Sequence, residues 1–278
     1  MIGGQQWPKF TIVTPSYNQA LYLEEAIRSV LLQGYPNLEY VVVDGGSTDG
    51  SEQVIRKYEP WLNRAIVERD SGQSEAINKG IAKATGEWAN WLNSDDYLLP
   101  GALETAVNEI VNVGEGVEIA CFACDIVNEK GEYVGKYDCW EPKNIAAMLK
   151  WKTARIIPQP STFVRTRSVY VDETLHFAMD WDLYMRTLAS RPHSIKAFDK
   201  AIAAYRMHPA TKSSLGLNPF IKEGIKIVER LPIVGFYEAR LRDKWLREAK
   251  RNVGERRRLY YGLRAHFHKI LGMKKPAQ

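Results

Sequence analysis

The apolar positions of the first half of the chain alternate between two periods. The run KFTIVTP is β-branched and continuous, as in a strand. In the segment after it, Leu23, Ile27, Val30 and Leu31 fall at helical spacing, and Gly34 follows as a stop signal. LEYVVVDGGSTDG predicts an apolar strand that ends on an acid and a glycine-rich turn. SEQVIRKYE then predicts a helix, RAIVERD a strand, SEAINKGIAKAT a helix and GEWANWLN a strand. GALETAVNEIVN, after Pro100, predicts a helix, and VEIACFACDIV a strand. Such alternation predicts an α/β domain around a mostly parallel sheet. Strands covered on both faces are apolar throughout, as YVVV is. Ligands in such sheets bind beyond the carboxyl ends of the strands. The polar clusters TPSYN, DGGSTDG, RDSGQS and NSDD all follow strand ends and are expected on one rim.

The second half is less regular. EYVGKYD predicts a strand, NIAAMLKW a short helix, and PQPSTFVRTRSVY a strand with a turn of helix. MDWDLYMRTLAS predicts a helix with acids at its start, and AIAAYRMHPATKSS a strand running into a polar loop. From about Pro219 the pattern is helical to the end.

Composition sets limits. With 278 residues, 45% hydrophobic and 26% charged, the chain can bury a sizeable core. No apolar stretch reaches the ~18 residues of a transmembrane helix. The start MIGGQQWPKF lacks a signal-peptide pattern, so a cytoplasmic location is expected. Cys121 and Cys124 form a C-x-x-C, but within a strand-like run their side chains point to opposite faces. The pair is expected as small buried hydrophobes; Cys139 is the third cysteine. The net charge of +5 conceals an asymmetry. Residues 240–278 hold 13 Lys/Arg against 3 Asp/Glu, a net +10, while the rest hold 25 against 30, a net −5.

Two clusters carry candidate chemistry. DGGSTDGS lacks the G-K-[ST] of a P-loop and the spacing of a dinucleotide fingerprint, so alone it is also an ordinary strand–helix turn. Asp44 at that strand end can accept hydrogen bonds from a base or sugar. In NSDD, Asp95 and Asp96 are adjacent like charges at the end of a buried strand. Their side chains point opposite ways, so one can face a metal and the other a ribose hydroxyl. Hard oxygen ligands in small number suit Mg²⁺ or Mn²⁺ on substrate phosphates. The alternative is a solvated turn before Pro100.

Together, TIVTPSYNQALYLEEAIRSVLLQGYPNLEYVVVDGGSTDGS and DSGQSEAINKGIAKATGEWANWLNSDDYLLPGAL resemble the nucleotide-sugar-dependent, inverting glycosyltransferases of family 2. The resemblance is dense over residues 9–105 and continues through QPSTF, MDWDLYMR and YRMH to about residue 214. It implies a GT-A fold: a Rossmann-like, mostly parallel central sheet flanked by helices. The catalytic domain would span residues 1–218, with nucleotide-sugar binding in 1–127 and the acceptor side in 128–218. Residues 219–278 would form a basic helical C-terminal extension.

The resemblance also implies roles. Thr14, Pro15 and Tyr17 would line the nucleotide base, and Asp44 would read its edge. Gln73 and Asn78 would close over the nucleotide. Asp95 would meet the ribose, and Asp96 would ligate a divalent Mn or Mg ion on the diphosphate, joined by His208. Asp180 matches the catalytic base; the family pairs it with a preceding Glu, and Met179 stands there instead, so Asp182 is a candidate substitute. Such transfer needs a base for the acceptor hydroxyl, a cation on the leaving diphosphate and an aligned site. Each residue has a plainer reading: Asp180 as a helix N-cap with a lowered pKa, Asp182 as a first-turn acid, Tyr17 as a surface aromatic and His208 as a loop histidine. Trp140, Trp151, Gln159 and His176 are candidates for sugar and acceptor choice.

The expected partners are a nucleotide-sugar donor, chiefly UDP-linked, and a cell-surface glycan or lipid-linked saccharide as acceptor. In the tail, Leu241, Trp245, Ala249, Val253, Leu259, Leu263, Phe267, Ile270 and Leu271 recur at three- and four-residue spacing among Arg and Lys. That basic amphipathic pattern suits an anionic membrane surface at the inner face of the cell membrane; otherwise the stripe packs on the catalytic domain. No nucleic-acid fold signature accompanies the basic patch, so no nucleic-acid partner is expected. The other functions weighed are a nucleotidyltransferase and a catalytically silent, membrane-associated binding module of this fold.

Overall fold

The computed structural model describes residues 7–150, 156–215, 217–232 and 235–254. The strands are β1 (Phe10–Ser16), β2 (Leu38–Asp44), β3 (Arg64–Val67), β4 (Trp88–Trp91), β5 (Tyr97–Leu98), β6 (Ile119–Val127), β7 (Tyr133–Tyr137), β8 (Thr162–Arg165) and β9 (Ile195–Arg206). The helices are α1 (Ala20–Leu31), α2 (Ser51–Tyr58), α3 (Gln73–Ile81), α4 (Ala102–Ile110), α5 (Ile145–Leu149), α6 (Met179–Ser190), α7 (Leu217–Arg230) and α8 (Phe236–Gly254).

The strands form one sheet in the order β3-β2-β1-β4-β8-β6-β9-β5, with β7 also on β6. The parallel part expected from the alternation is β3-β2-β1-β4. Beyond it the sheet is mixed: β8 runs antiparallel to β4 and β6, β7 to β6, and β5 to β9, while β6 and β9 are parallel.

Side-chain alternation on β1 and β2 builds two cores. Phe10, Ile12, Tyr40 and Val42 pack with Leu23 and Ile27 of α1 and Leu103 and Val107 of α4. Val13, Val41 and Val43 point the other way, toward Ile77 of α3 and Leu183 and Met185 of α6. α3 lies so close to β1 that a Cβ at Gly80 would stand 2.4 Å from Val13 Cγ1.

β5 escaped sequence reading and matters most to the site. Its two residues pair with Ala203 and Ala204 of β9. The acids just before β5 are thereby fastened to the end of β9.

The tail stripe is divided. Trp245 of α8 stacks on Trp181 of α6 at 5.7 Å, Ala249 is buried, and Leu241 and Leu246 pack against the same core. This first part of the stripe therefore faces protein, the alternative to the membrane. Leu259, Leu263, Phe267, Ile270 and Leu271 lie outside the described residues. No helix of the described residues is long and apolar enough to cross a membrane.

The cysteine expectation needs correction. Cys124 is a free, buried thiol, but Cys121 and Cys139 form a disulfide. The antiparallel β6–β7 pairing, Cys124 opposite Tyr137, returns the chain alongside β6 and brings Cys139 within reach of Cys121.

Candidate active site

The four polar clusters meet at one rim. Gly45 N–H donates to Ser16 O, Asn18 N–H to Ser47 Oγ, and Thr48 N–H to Asn18 Oδ1, joining the first two. A Cβ at Gly45 would stand 2.7 Å from Asp70 Oδ2, so the second touches the third. Gln73 Nε2 donates to Asn93 Oδ1 at 2.6 Å, joining the third to the fourth.

Several expected site residues are otherwise engaged. Thr14 is fully buried with its hydroxyl 3.0 Å from Tyr40 OH, so it lies within the sheet instead of lining a base site. Pro15 is buried beside it. Asn78 clamps the loop before α6, donating to Val171 O and Glu173 Oε1 and accepting from Val171 N–H. Asp44 is also buried; its carboxylate accepts from Gly46 N–H, Ser47 N–H and Ser47 Oγ and shapes the turn. Tyr17 stands 62% exposed on the rim. Asp70, expected on the rim as part of RDSGQS but given no role there, carries a carboxyl whose pKa burial raises.

The adjacent acids are unequal. Asp96 is 1% exposed. It accepts from Arg206 N–H (2.9 Å) and Asn93 Nδ2 (3.2 Å). Burial, and then the neighbouring Asp95 charge, push its pKa well above the ordinary carboxylate range. Asp95 is the more open of the pair, and His208 Nε2 lies 3.1 Å from its Oδ2. The structure thus pairs His208 with Asp95, not with Asp96. Arg206, which sequence reasoning missed, locks this corner. Its guanidinium is buried and donates to Asp95 O (3.0 Å), Glu129 O (3.1 Å) and the Glu25 carboxylate. It also lies over the rings of Tyr22 and Tyr97, and Tyr22 packs on His208.

Asp180 sits in the first turn of α6, but Ala178 is the N-cap, so the capping reading fails. Its Oδ1 accepts from Trp181 N–H at 2.7 Å. Burial raises its pKa to about 6, against the lowering influence of that amide and of Lys212. Asp182 cannot substitute: it is buried and ion-paired with Arg186 (2.7 Å) and Arg230 (3.0 Å).

Lys212, also missed, connects the parts. Its Nζ donates to Gln73 Oε1 and His176 O, both at 2.6 Å. Burial lowers its pKa, while Glu223, Asp180 and Asp95 counter with their charges. One ammonium therefore lies within electrostatic reach of both the Asp180 and the Asp95 carboxylates. Of the other candidates, Gln159 accepts from Asn93 Nδ2 and donates to Trp91 O, beneath the acids. His176 is exposed on the loop before α6. Trp151 lies outside the described residues.

Among the described residues, no group of three or more His, Cys, Asp or Glu is arranged to hold a metal ion. Asp95 and His208 offer one carboxylate and one imidazole. Such a pair fits a divalent ion whose other ligands are phosphate oxygens and water.

A family model, Glycosyl transferase family 2, matches residues 11–173. An uncharacterised glycosyltransferase of Rickettsia typhi is 28% identical over 222 residues, covering 76% of this chain and 68% of the relative. TuaG of Bacillus subtilis, whose name assigns it to teichuronic acid biosynthesis, is 39% identical over 100 residues, 35% of this chain and 40% of TuaG. The structure of S. aureus TarS 1–349 in complex with UDP superposes with a TM-score of 0.64 at 24% identity, covering 92% of this chain and 75% of that one. That likeness shows the GT-A fold. Asp180, Arg206, His208 and Lys212 all lie beyond the stretch that the family model matches.

Proposed function

The chain belongs to glycosyl transferase family 2, and we propose that it moves a sugar, with inversion, from a UDP-linked donor to a hydroxyl of a cell-surface glycan or lipid-linked saccharide. The observation that carries this reading is the placement of Lys212, bonded to Gln73 and to the His176 carbonyl, within electrostatic reach of both Asp95 and Asp180, whose pKa burial raises to about 6. A carboxylate with a pKa near 6 is ionised at neutral pH, yet basic enough to take a proton from an attacking hydroxyl.

Tyr17 offers a face to the base, and Asp70 a carboxylate to its N–H edge, beside the turn that Asp44 shapes. Asp95 and His208 would hold a divalent ion, Mn or Mg, while Asp96 holds the turn through Arg206. Such an ion, when bound, would supply positive charge for the leaving diphosphate. Lys212 supplies a fixed ammonium for the same oxygens in place of its neutral partners Gln73 and His176. Asp180 orients the acceptor hydroxyl on the opposite side of the anomeric carbon and removes its proton as the new bond forms.

The test is a donor screen for metal-dependent release of nucleoside diphosphate, with Asp180→Asn beside the parent. Release by the parent and its near-complete loss in the variant supports the reading. Release from no donor favours a silent module of the same fold.

A membrane role rests on what α8 leaves outward. Arg240, Lys244, Arg247 and Arg251 are exposed on it and suit anionic headgroups. Sedimentation with anionic vesicles should compare the full chain with one ending at Gly254, because a cut at Leu217 would strip helices that pack on α6. Equal binding would place the contact on α8; no binding by either removes the membrane from the reading.

A further inference from the structure

Glu223 lies on α7, far from any motif the sequence singles out, and it is buried. Its carboxylate accepts three backbone N–H groups in succession: His176 on Oε1, Phe177 and Ala178 on Oε2, each at 2.8 Å. Ala178 is the N-cap of α6, two residues before Asp180. The first two amides belong to the loop that leads into α6, and the third is the N-cap amide, which has no intrahelical partner. A buried carboxylate satisfying all three makes charge-assisted bonds, the stronger class.

α7 and α8 hold α6 at further points. Arg230 of α7 pairs with Asp182 at 3.0 Å, and Phe220 and Trp245 pack against Trp181. Between those two anchors and the Glu223 cradle lie only Met179 and Asp180. The carbonyl of His176, within the cradled loop, accepts from Lys212 Nζ. The loop therefore sets the position of both the acid and the ammonium of the cleft.

We propose that Glu223 is a positioning residue for the transfer reaction: its carboxylate fixes residues 176–178, and through them Asp180 and Lys212, in reacting geometry. The proposal rests on the reading of Asp180 as the base. It makes α7 a working part of the active site, not an appended tail. A misplacement of about 1 Å in a reacting group can cost about a hundredfold in rate, so loosening this loop falls mainly on turnover.

Two kinds of readout test it. Hydrogen exchange on the full chain comes first. The amides of 176–178 are expected to exchange slowly in the parent and at least about tenfold faster in Glu223→Gln, whose amide nitrogen cannot accept. Exchange at open-loop rates in the parent overturns the proposal whatever the activity. Kinetics come second. Glu223→Gln is expected to lower kcat about tenfold or more and to move the acid limb of the kcat profile to lower pH. The charged and titratable groups facing Asp180 are Lys212, Glu223 and the Tyr184 phenol; of these Glu223 raises the pKa of the base and Lys212 lowers it. Arg230→Met is the control on the same helix. It is expected to lower Tm without moving the limb downward. An unchanged kcat and limb in Glu223→Gln, or the same downward shift in Arg230→Met, overturns the proposal. If no donor turns over but the amides behave as stated, the cradle stands and the glycosyl-transfer reading falls.

Discussion

Asp180→Asn is expected to destroy activity and to stabilise the protein. The native pKa is about 6, against 3.8 for the ordinary carboxyl. That gap of about two units, at 1.36 kcal/mol each, is up to ~3 kcal/mol of native-state cost at neutral pH. The sign follows from proton binding. Between 3.8 and about 6 the native state holds the proton more tightly than the unfolded chain. Stability from this group is therefore full below 3.8 and is lost as pH rises through about 6. Asparagine never ionises and can still accept from the Trp181 amide, so it removes the cost. At roughly 2–4 °C per kcal/mol for a domain near this size, Tm should rise by roughly 6–12 °C at pH 7.5. The gain should shrink toward zero as the scan is repeated down to pH 4. Turnover should fall by about 10²–10⁴, the usual share of a general base. The parent should lose about tenfold in kcat on going to pH 5, one unit below the pKa. Scanning calorimetry across pH and steady-state kinetics are the assays. A variant less stable than the parent at pH 7.5, or an acid limb near pH 4, would refute the reasoning.

Other positions give sharper local tests. His208→Ala should raise the Mn²⁺ concentration needed for half-maximal activity by tenfold or more, read by metal titration, if His208 and Asp95 are the ligands proposed. Arg206→Met should cost about 1–3 kcal/mol in denaturant unfolding, since it leaves the Asp95 and Glu129 carbonyls without their donor, while Glu25, 54% exposed, is left to water. Gly80→Ala should cost about 1–3 kcal/mol in denaturant unfolding, as its Cβ would drive α3 off Val13. Reduction of Cys121–Cys139, which closes 18 residues, should lower stability by about 3 kcal/mol, seen as a Tm drop with dithiothreitol.

The strands and helices from Phe10 to Ile110 were legible because each carries a clean period and a turn signal. β5 was not: two residues between a polar turn and Pro100 have no period to read. The pairing of β8 against β4 and β6 was equally hidden, since strand direction is set by contacts far apart in the chain. Within the site, residue types were readable and their partners were not. The adjacency of Asp95 and Asp96 says nothing of which one the end of β9 covers. The Arg206 amide and side chain decide that, from 110 residues away. Glu223 looks like one more acid on an amphipathic helix until the fold brings three amides to it. A signal was available for Arg206 and Lys212: cations flanking a histidine in a polar loop after a buried strand.

The stereochemistry of transfer tests Asp180 as the base most directly. With an active UDP-sugar and acceptor, proton NMR of the product during early turnover reports the anomeric configuration. In-line attack by a hydroxyl that Asp180 deprotonates predicts inversion, an α-linked donor giving a β-linked product. Retention of the donor's configuration would contradict the assignment of Asp180 and the mechanism built on it.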